Sequence, residues 1–108
     1  MAEYRVYRLA QQREDDIWDY TVQKWGNDQA VKYIRGLHNH FSRLANHEIS
    51  WKPLPKDRLG GATVYLSRYE KHYILFREIS IGIGILTLLN TSMDLSERLA
   101  EDLRTLEN

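Results

Sequence analysis

Cysteine is absent from the 108 residues, so neither a disulfide nor a thiolate metal site can form. The absence fits a reducing compartment. An excess of charge of one sign is also missing, since fifteen Lys and Arg offset fifteen Asp and Glu. Proteins that live on RNA or DNA phosphates usually carry a basic excess, because counterion release supplies much of their affinity. The balance here disfavours a general nucleic-acid binder. Long apolar runs are lacking too: Ile79 to Leu89, the longest, is interrupted by Ser80, Gly82, Gly84 and Thr87 and is too short to span a bilayer. Met1-Ala2-Glu3-Tyr4-Arg5 has no apolar signal region. Neither a P-loop, a dinucleotide fingerprint nor a Ser-His-Asp arrangement occurs, so no cofactor is implied. The chain is expected to be one soluble, cytoplasmic domain spanning residues 1–108.

What is there is regular patterning. Tyr4 to Leu9 alternates as a strand. From about Gln11 to Trp25 the spacing predicts a helix, with Glu14, Asp15 and Asp16 in its early turns and Ile17, Tyr20 and Thr21 as its inward stripe. Gly26 stops it, and Asn27 or Asp28 caps a second helix whose stripe is Ala30, Tyr33, Ile34, Leu37, Phe41 and Leu44. The short joint predicts an antiparallel helical hairpin. Asn46 to Gly61, with Pro53, Pro55, Gly60 and Gly61, reads as a surface connection. Three strand-like runs follow: Ala62 to Ser67, His72 to Glu78 and Ile79 to Leu89, with a turn at Arg68 to Lys71. At a sheet edge, the third would offer its free backbone as a template for a partner's strand. Asp94 and Glu97 have capping-box spacing ahead of a short helix from about Leu95 to Leu106. This order is α+β: an N-terminal strand, an antiparallel helical hairpin on one face of a twisted, mostly antiparallel sheet of about four strands, and a short C-terminal helix.

Several short motifs recur in a telling order. Ile17-Trp18-Asp19-Tyr20-Thr21, Trp25-Gly26, Gln29-Ala30 and Tyr33 are continued by Leu37, Phe41, Leu44 and Ala45. The second half supplies His72-Tyr73-Ile74-Leu75-Phe76-Arg77, Ile85-Leu86, Leu88-Leu89, Met93-Asp94 and Leu99. Together they resemble the ParE toxins of the RelE/ParE superfamily over nearly the whole chain. The chain departs from that pattern at Glu14, where the family usually has an apolar residue, and at His47, often Pro. It departs again at Thr87, where Arg is common, and at Asn90, where the closing strand commonly ends in His. The resemblance implies the fold of RelE ribonucleases without their catalytic set, in the bacterial cytoplasm. It implies inhibition of DNA gyrase by binding, which stalls the enzyme on cleaved DNA. It further implies a hetero-oligomer with a ParD-like antitoxin, whose disordered segment folds on the toxin. Two alternatives stand beside it: a ribosome-dependent messenger-RNA interferase of RelE type, and a degenerate toxin that retains only antitoxin binding.

Cleavage of RNA would need cations to stabilise the phosphate and a group to move the 2′-hydroxyl proton. Arg68, Lys71, His72, Tyr73 and Arg77 are the cluster with suitable chemistry. His72 and Arg77 have opposite parity along one strand and should face opposite sides, so no catalytic residue is assigned. His38 and His40 diverge around a helix, so no metal site is assigned. A local basic surface for a protein partner is read into Trp51, Lys52, Arg58, Arg68, Lys71 and Arg77, set against an acidic tail after Met93. Trp51 reads equally as a partner anchor beside cations or as packing of its own loop. Arg68 and Arg77 read as mates for acidic antitoxin residues or as solvated side chains.

Overall fold

Tyr4 and Val6 turn toward the protein interior from a four-residue strand, β1 (Glu3–Val6). In the computed structural model, which describes residues 2–107, β1 runs almost directly into α1 (Arg8–Trp25). Nothing in Arg8-Leu9-Ala10 opposes helix, so α1 starts ahead of the expected Gln11. Gly26, at φ 93°, is the whole joint between α1 and α2 (Asn27–Ala45). That backbone conformation is cheap only without a Cβ. Gly26 also occupies the N-cap position of α2, and no side chain of Asn27 or Asp28 caps it.

Four more strands follow: β2 (Lys52–Leu59), β3 (Ala62–Tyr69), β4 (His72–Ile79) and β5 (Gly82–Asn90). α3 (Leu95–Glu107) completes the fold, and the Glu97 backbone N–H donates to Asp94 Oδ1 at 3.1 Å, as the capping spacing predicts. The sheet order is β1-β5-β4-β3-β2. Every pairing is antiparallel except β1 on β5.

Two expectations are corrected. The sheet has five strands, because Lys52–Leu59, read as connection, pairs with β3. Its two prolines are tolerated because β2 is an edge strand, and its register breaks between Pro53 and Arg58. The second correction concerns β5, which lies between β1 and β4 with both backbone edges occupied, so it cannot template a partner's strand. The free edges belong to β1 and β2. Ile83 through Leu89 are all buried, and such a continuous apolar run marks a strand covered on both faces.

Both faces are indeed covered. On one, Leu37, Phe41 and Leu44 of α2 and Ala10 and Ile17 of α1 meet Ile74, Phe76, Ile83, Ile85 and Leu88. On the other, Leu99 and Leu103 of α3 meet Leu59, Val64, Leu75 and Leu86. Each fully buried Leu or Phe contributes roughly 1.5–3 kcal/mol, so α3 is a packed layer of the fold.

Candidate partner-binding face

Alternation along the strands sorts the candidate cations. Val64 and Leu66 of β3 belong to the α3-side core, and so does Leu75 of β4. Arg68, two residues beyond Leu66, and Arg77, two beyond Leu75, share that side of the sheet. Lys52 joins them, since it pairs with Leu66. Arg68 is level with Tyr73, so Arg68 and Arg77 stand about 13 Å apart along the strand direction. Arg58 goes the other way: it pairs with Thr63 and its guanidinium donates to Gly61 O at 2.9 Å and Thr63 Oγ1 at 3.4 Å. Lys71 is exposed in the β3–β4 turn. The structure therefore brings Lys52, Arg68 and Arg77 to one face and leaves Arg58 and Lys71 outside it.

Arg77 is the most constrained of the three. Its Nη2 donates to the Tyr7 hydroxyl at 3.1 Å, and the guanidinium lies 5.6 Å from the centre of the Tyr7 ring. Gly84, directly across from Arg77 on β5, makes this possible. A Cβ there would stand 2.8 Å from the Tyr7 ring, so the bare backbone is the seat of the aromatic. The Arg77 Nε–H is buried and meets no acceptor among the described residues. An unmet buried donor costs roughly 1–3 kcal/mol.

Trp51 is drawn inward. Its Nε1–H donates to Leu44 O at 2.7 Å, its ring stacks on His47 at 4.1 Å and meets Tyr65 and Phe76 edge-on. Packing of the connection is the role its contacts describe. His72, from the proposed nuclease cluster, faces α2, where Nδ1 and the Tyr33 hydroxyl share a hydrogen bond at 2.7 Å. Burial holds His72 below the usual histidine value and pushes Tyr33 up to about 12. So His72 and Arg77 do lie on opposite faces of β4. His38 and His40 also part: His40 Nε2 meets Ser67 Oγ at 2.9 Å under the sheet, and His38 points to α1. Among the described residues no three His, Cys, Asp or Glu converge as metal ligands.

Two polar networks were not anticipated. Buried Glu14 accepts from His38 Nε2 at 2.6 Å, which leaves Nδ1 to accept from the Tyr4 hydroxyl at 2.8 Å. The connectivity is that of a nucleophile triad, but burial and the Glu14 charge raise the Tyr4 phenol, which makes it a poor nucleophile. Here it ties β1, α1 and α2 together. Elsewhere, Asp102 of α3 is buried, takes both Arg13 nitrogens and accepts from Thr87 Oγ1 at 2.9 Å. Both were signalled in the sequence. Glu14 falls on the apolar stripe of Ala10, Ile17 and Thr21, and Asp102 falls between Leu99 and Leu103.

Known proteins share the sequence pattern of this chain over most of its length. Residues 4–95 match the family described as ParE toxin of type II toxin-antitoxin system, parDE. The chain is 31% identical to Toxin ParE1 of Caulobacter vibrioides over 94 residues, 87% of this chain and 94% of that one. It is 28% identical to Toxin ParE1 of Mycobacterium tuberculosis over 97 residues, 89% of this chain and 96% of that one. A solved structure described as the chromosomal ParDE TA system from P. aeruginosa shares the fold, with a TM-score of 0.65 at 21% identity over 83% of this chain and 96% of that one. With a family match from β1 to the start of α3, the chain belongs to the ParE toxins of type II toxin–antitoxin systems.

Proposed function

We propose that this toxin acts by binding a protein target, DNA gyrase, without catalysis of its own, and that a ParD-like antitoxin neutralises it. The observation that carries the reading is the division of His72 from Arg77. The imidazole that could move a proton sits desolvated beneath α2, while the cations that could hold a phosphate lie on the other side of the sheet, where the phenol of Tyr73, level with Arg68, is what remains of the cluster's proton-bearing groups. General acid–base chemistry needs both within reach of one substrate. What remains is a face bearing Lys52, Arg68 and Arg77, suited to acidic side chains of a protein. The name of the structural neighbour, a ParDE system, supports an antitoxin as the natural partner. With β5 enclosed, an antitoxin strand would have to add at β1, since β2 is broken by two prolines.

The test is a supercoiling and cleavage assay with the purified chain. Cleaved DNA should accumulate on gyrase when toxin is added and vanish when antitoxin is supplied. Unchanged supercoiling at excess folded toxin would sink the gyrase reading, and codon-positioned cuts in translated message would replace it with the RelE-type activity.

A further inference from the structure

Among the described residues, four of the six exposed large apolar side chains lie on the helical hairpin: Trp18, Tyr20, Trp25 and Val31. Trp18 and Trp25 are 36% and 64% exposed, and with half-buried Val22 they recur at helical spacing along one stripe of α1. Trp18 follows Glu14 by four residues, and Glu14 meets His38 of α2. The stripe therefore runs along the outer seam between the helices. Val31, seven residues before His38, stands on the α2 side of the same seam.

Charge divides across that seam. α1 exposes Asp15, Asp16 and Asp19, with Lys24 turned over the Tyr20 and Trp25 rings, and α2 exposes Lys32 and Arg35, with Asp28 near the joint. Among the described residues, Asp16, Asp19, Lys32 and Arg35 make no ion pair. The Glu14–His38 contact fixes their relative heights. Counting from it toward Gly26, Arg35 and Lys32 come level with Ile17 and Tyr20, beside Asp16 and Asp19. The outer surface of α2 is grooved, about 520 Å³, and lined by Asp28, Val31, Lys32, Arg35, Gly36 and Asn39. The α1 side instead projects two indoles.

We infer that this face binds a second copy of the chain. A two-fold axis along the seam lays α1 of each copy over α2 of the other, since an isologous contact must be self-complementary. The Asp16–Asp19 row then meets the partner copy's basic row twice, the Trp18–Val22–Trp25 stripe occupies the middle, and the indoles enter the groove. At the open end of the hairpin Arg8 and Arg43 would come opposite one another, which confines the contact to the half near Gly26. An interface of that size is weak and concentration-dependent. It leaves the Lys52–Arg68–Arg77 face free, so it stands independently of the gyrase reading.

Sedimentation velocity of the full chain tests it over about a hundredfold concentration range. The mean mass should rise toward a dimer with concentration, less so in high salt. Trp25→Glu should weaken the pairing about tenfold or more with an unchanged melting temperature. Asp19→Lys and Lys32→Asp should each weaken it, and the double variant should recover it, as swapped partners of one pair do. A chain that is monomeric throughout overturns the inference. So does pairing indifferent to Trp25→Glu, or a double variant no better than the singles.

Discussion

Arg13 and Asp102, 89 residues apart in sequence, form a two-pronged ion pair at 2.9 and 3.2 Å that joins the first helix to the last. Asp102 is buried and Arg13 only partly exposed. Arg13 also donates to Leu88 O, so α1, β5 and α3 meet at one guanidinium. Removing the cation strands a buried carboxylate. Arg13→Met should therefore cost about 3–5 kcal/mol, read as a drop in the urea midpoint. Asp102→Asn keeps a contact for Thr87 and should cost less, while joint replacement by apolar residues should recover much of the loss. Equal losses for the two single variants would refute this account. The helix that Asp102 anchors lies past the matched stretch, which ends at residue 95.

Acid should loosen the contact between α2 and the sheet. Burial holds both His40 and His72 below the ordinary value of 6.5, and Arg43 adds to the effect at His40. The unfolded chain takes up protons near 6.5 and the folded chain only lower, so the unfolded state binds more protons in that window. The stability contributed by these neutral histidines is complete above 6.5 and is lost as pH falls below it. Thermal melts should show a midpoint that declines from about pH 6.5 downward, and His72→Gln should flatten the decline. A flat midpoint down to the carboxylate range would contradict this.

Gly36 is required by Tyr69. A Cβ at position 36 would stand 2.0 Å from the Tyr69 hydroxyl, and the ring is held edge-on by Tyr33. Gly36→Ala should cost about 1–3 kcal/mol through overpacking, despite the usual helical gain of alanine over glycine. Tyr69→Phe removes the clashing oxygen, so the double variant should be more stable than the sum of the singles predicts. Strict additivity in denaturant midpoints would show that the two residues do not meet.

Arg77→Ala tests the cationic face. The Tyr7–Gly84 seat remains, the fold loses one part-buried hydrogen bond but also an unmet buried donor, and the melting temperature should barely move. Gyrase cleavage, read as the toxin concentration for half effect, should weaken about tenfold or more if Arg77 is an anchor. Arg58→Ala, on the other face, should leave it unchanged. A similar loss in both variants would point to general electrostatics and away from a specific face.

The element order was legible in the sequence wherever one period dominated. The α2 stripe and the Asp94 cap could be read directly, because burial repeats at three and four residues and the cap side chain sits next to the helix it serves. β2 was hidden because Pro53 and Pro55 speak against a strand, and only its position at an edge, a tertiary fact, permits them. The place of β5 was hidden for a related reason: its partner on one side, β1, comes from the other end of the chain. The cations could be identified but not assembled. Parity along β4 separates His72 from Arg77, yet nothing local reveals that Lys52 pairs with Leu66 and so shares a face with Arg68. Thr87 and Asn90, departures from the family pattern, take local duties instead. Thr87 meets Asp102, and Asn90 Oδ1 accepts from Ser92 N and Oγ at 2.8 and 2.7 Å.

The pairing of β1 with β5 also governs when the protein comes into being. Glu3 sits opposite Gly82, so the first strand made must wait for the last before it has a neighbour. The helical hairpin can form early from local contacts, but the cores on either side of the sheet need β5 as their common wall. A nascent chain interrupted before residue 82 lacks Ile83, Ile85 and Leu88 from one core and Leu86, Leu99 and Leu103 from the other, and its uncovered apolar surface invites proteases. For a member of a toxin family, this ties the finished fold to the end of synthesis: the wall that both cores share is laid down only when most of the chain has been made.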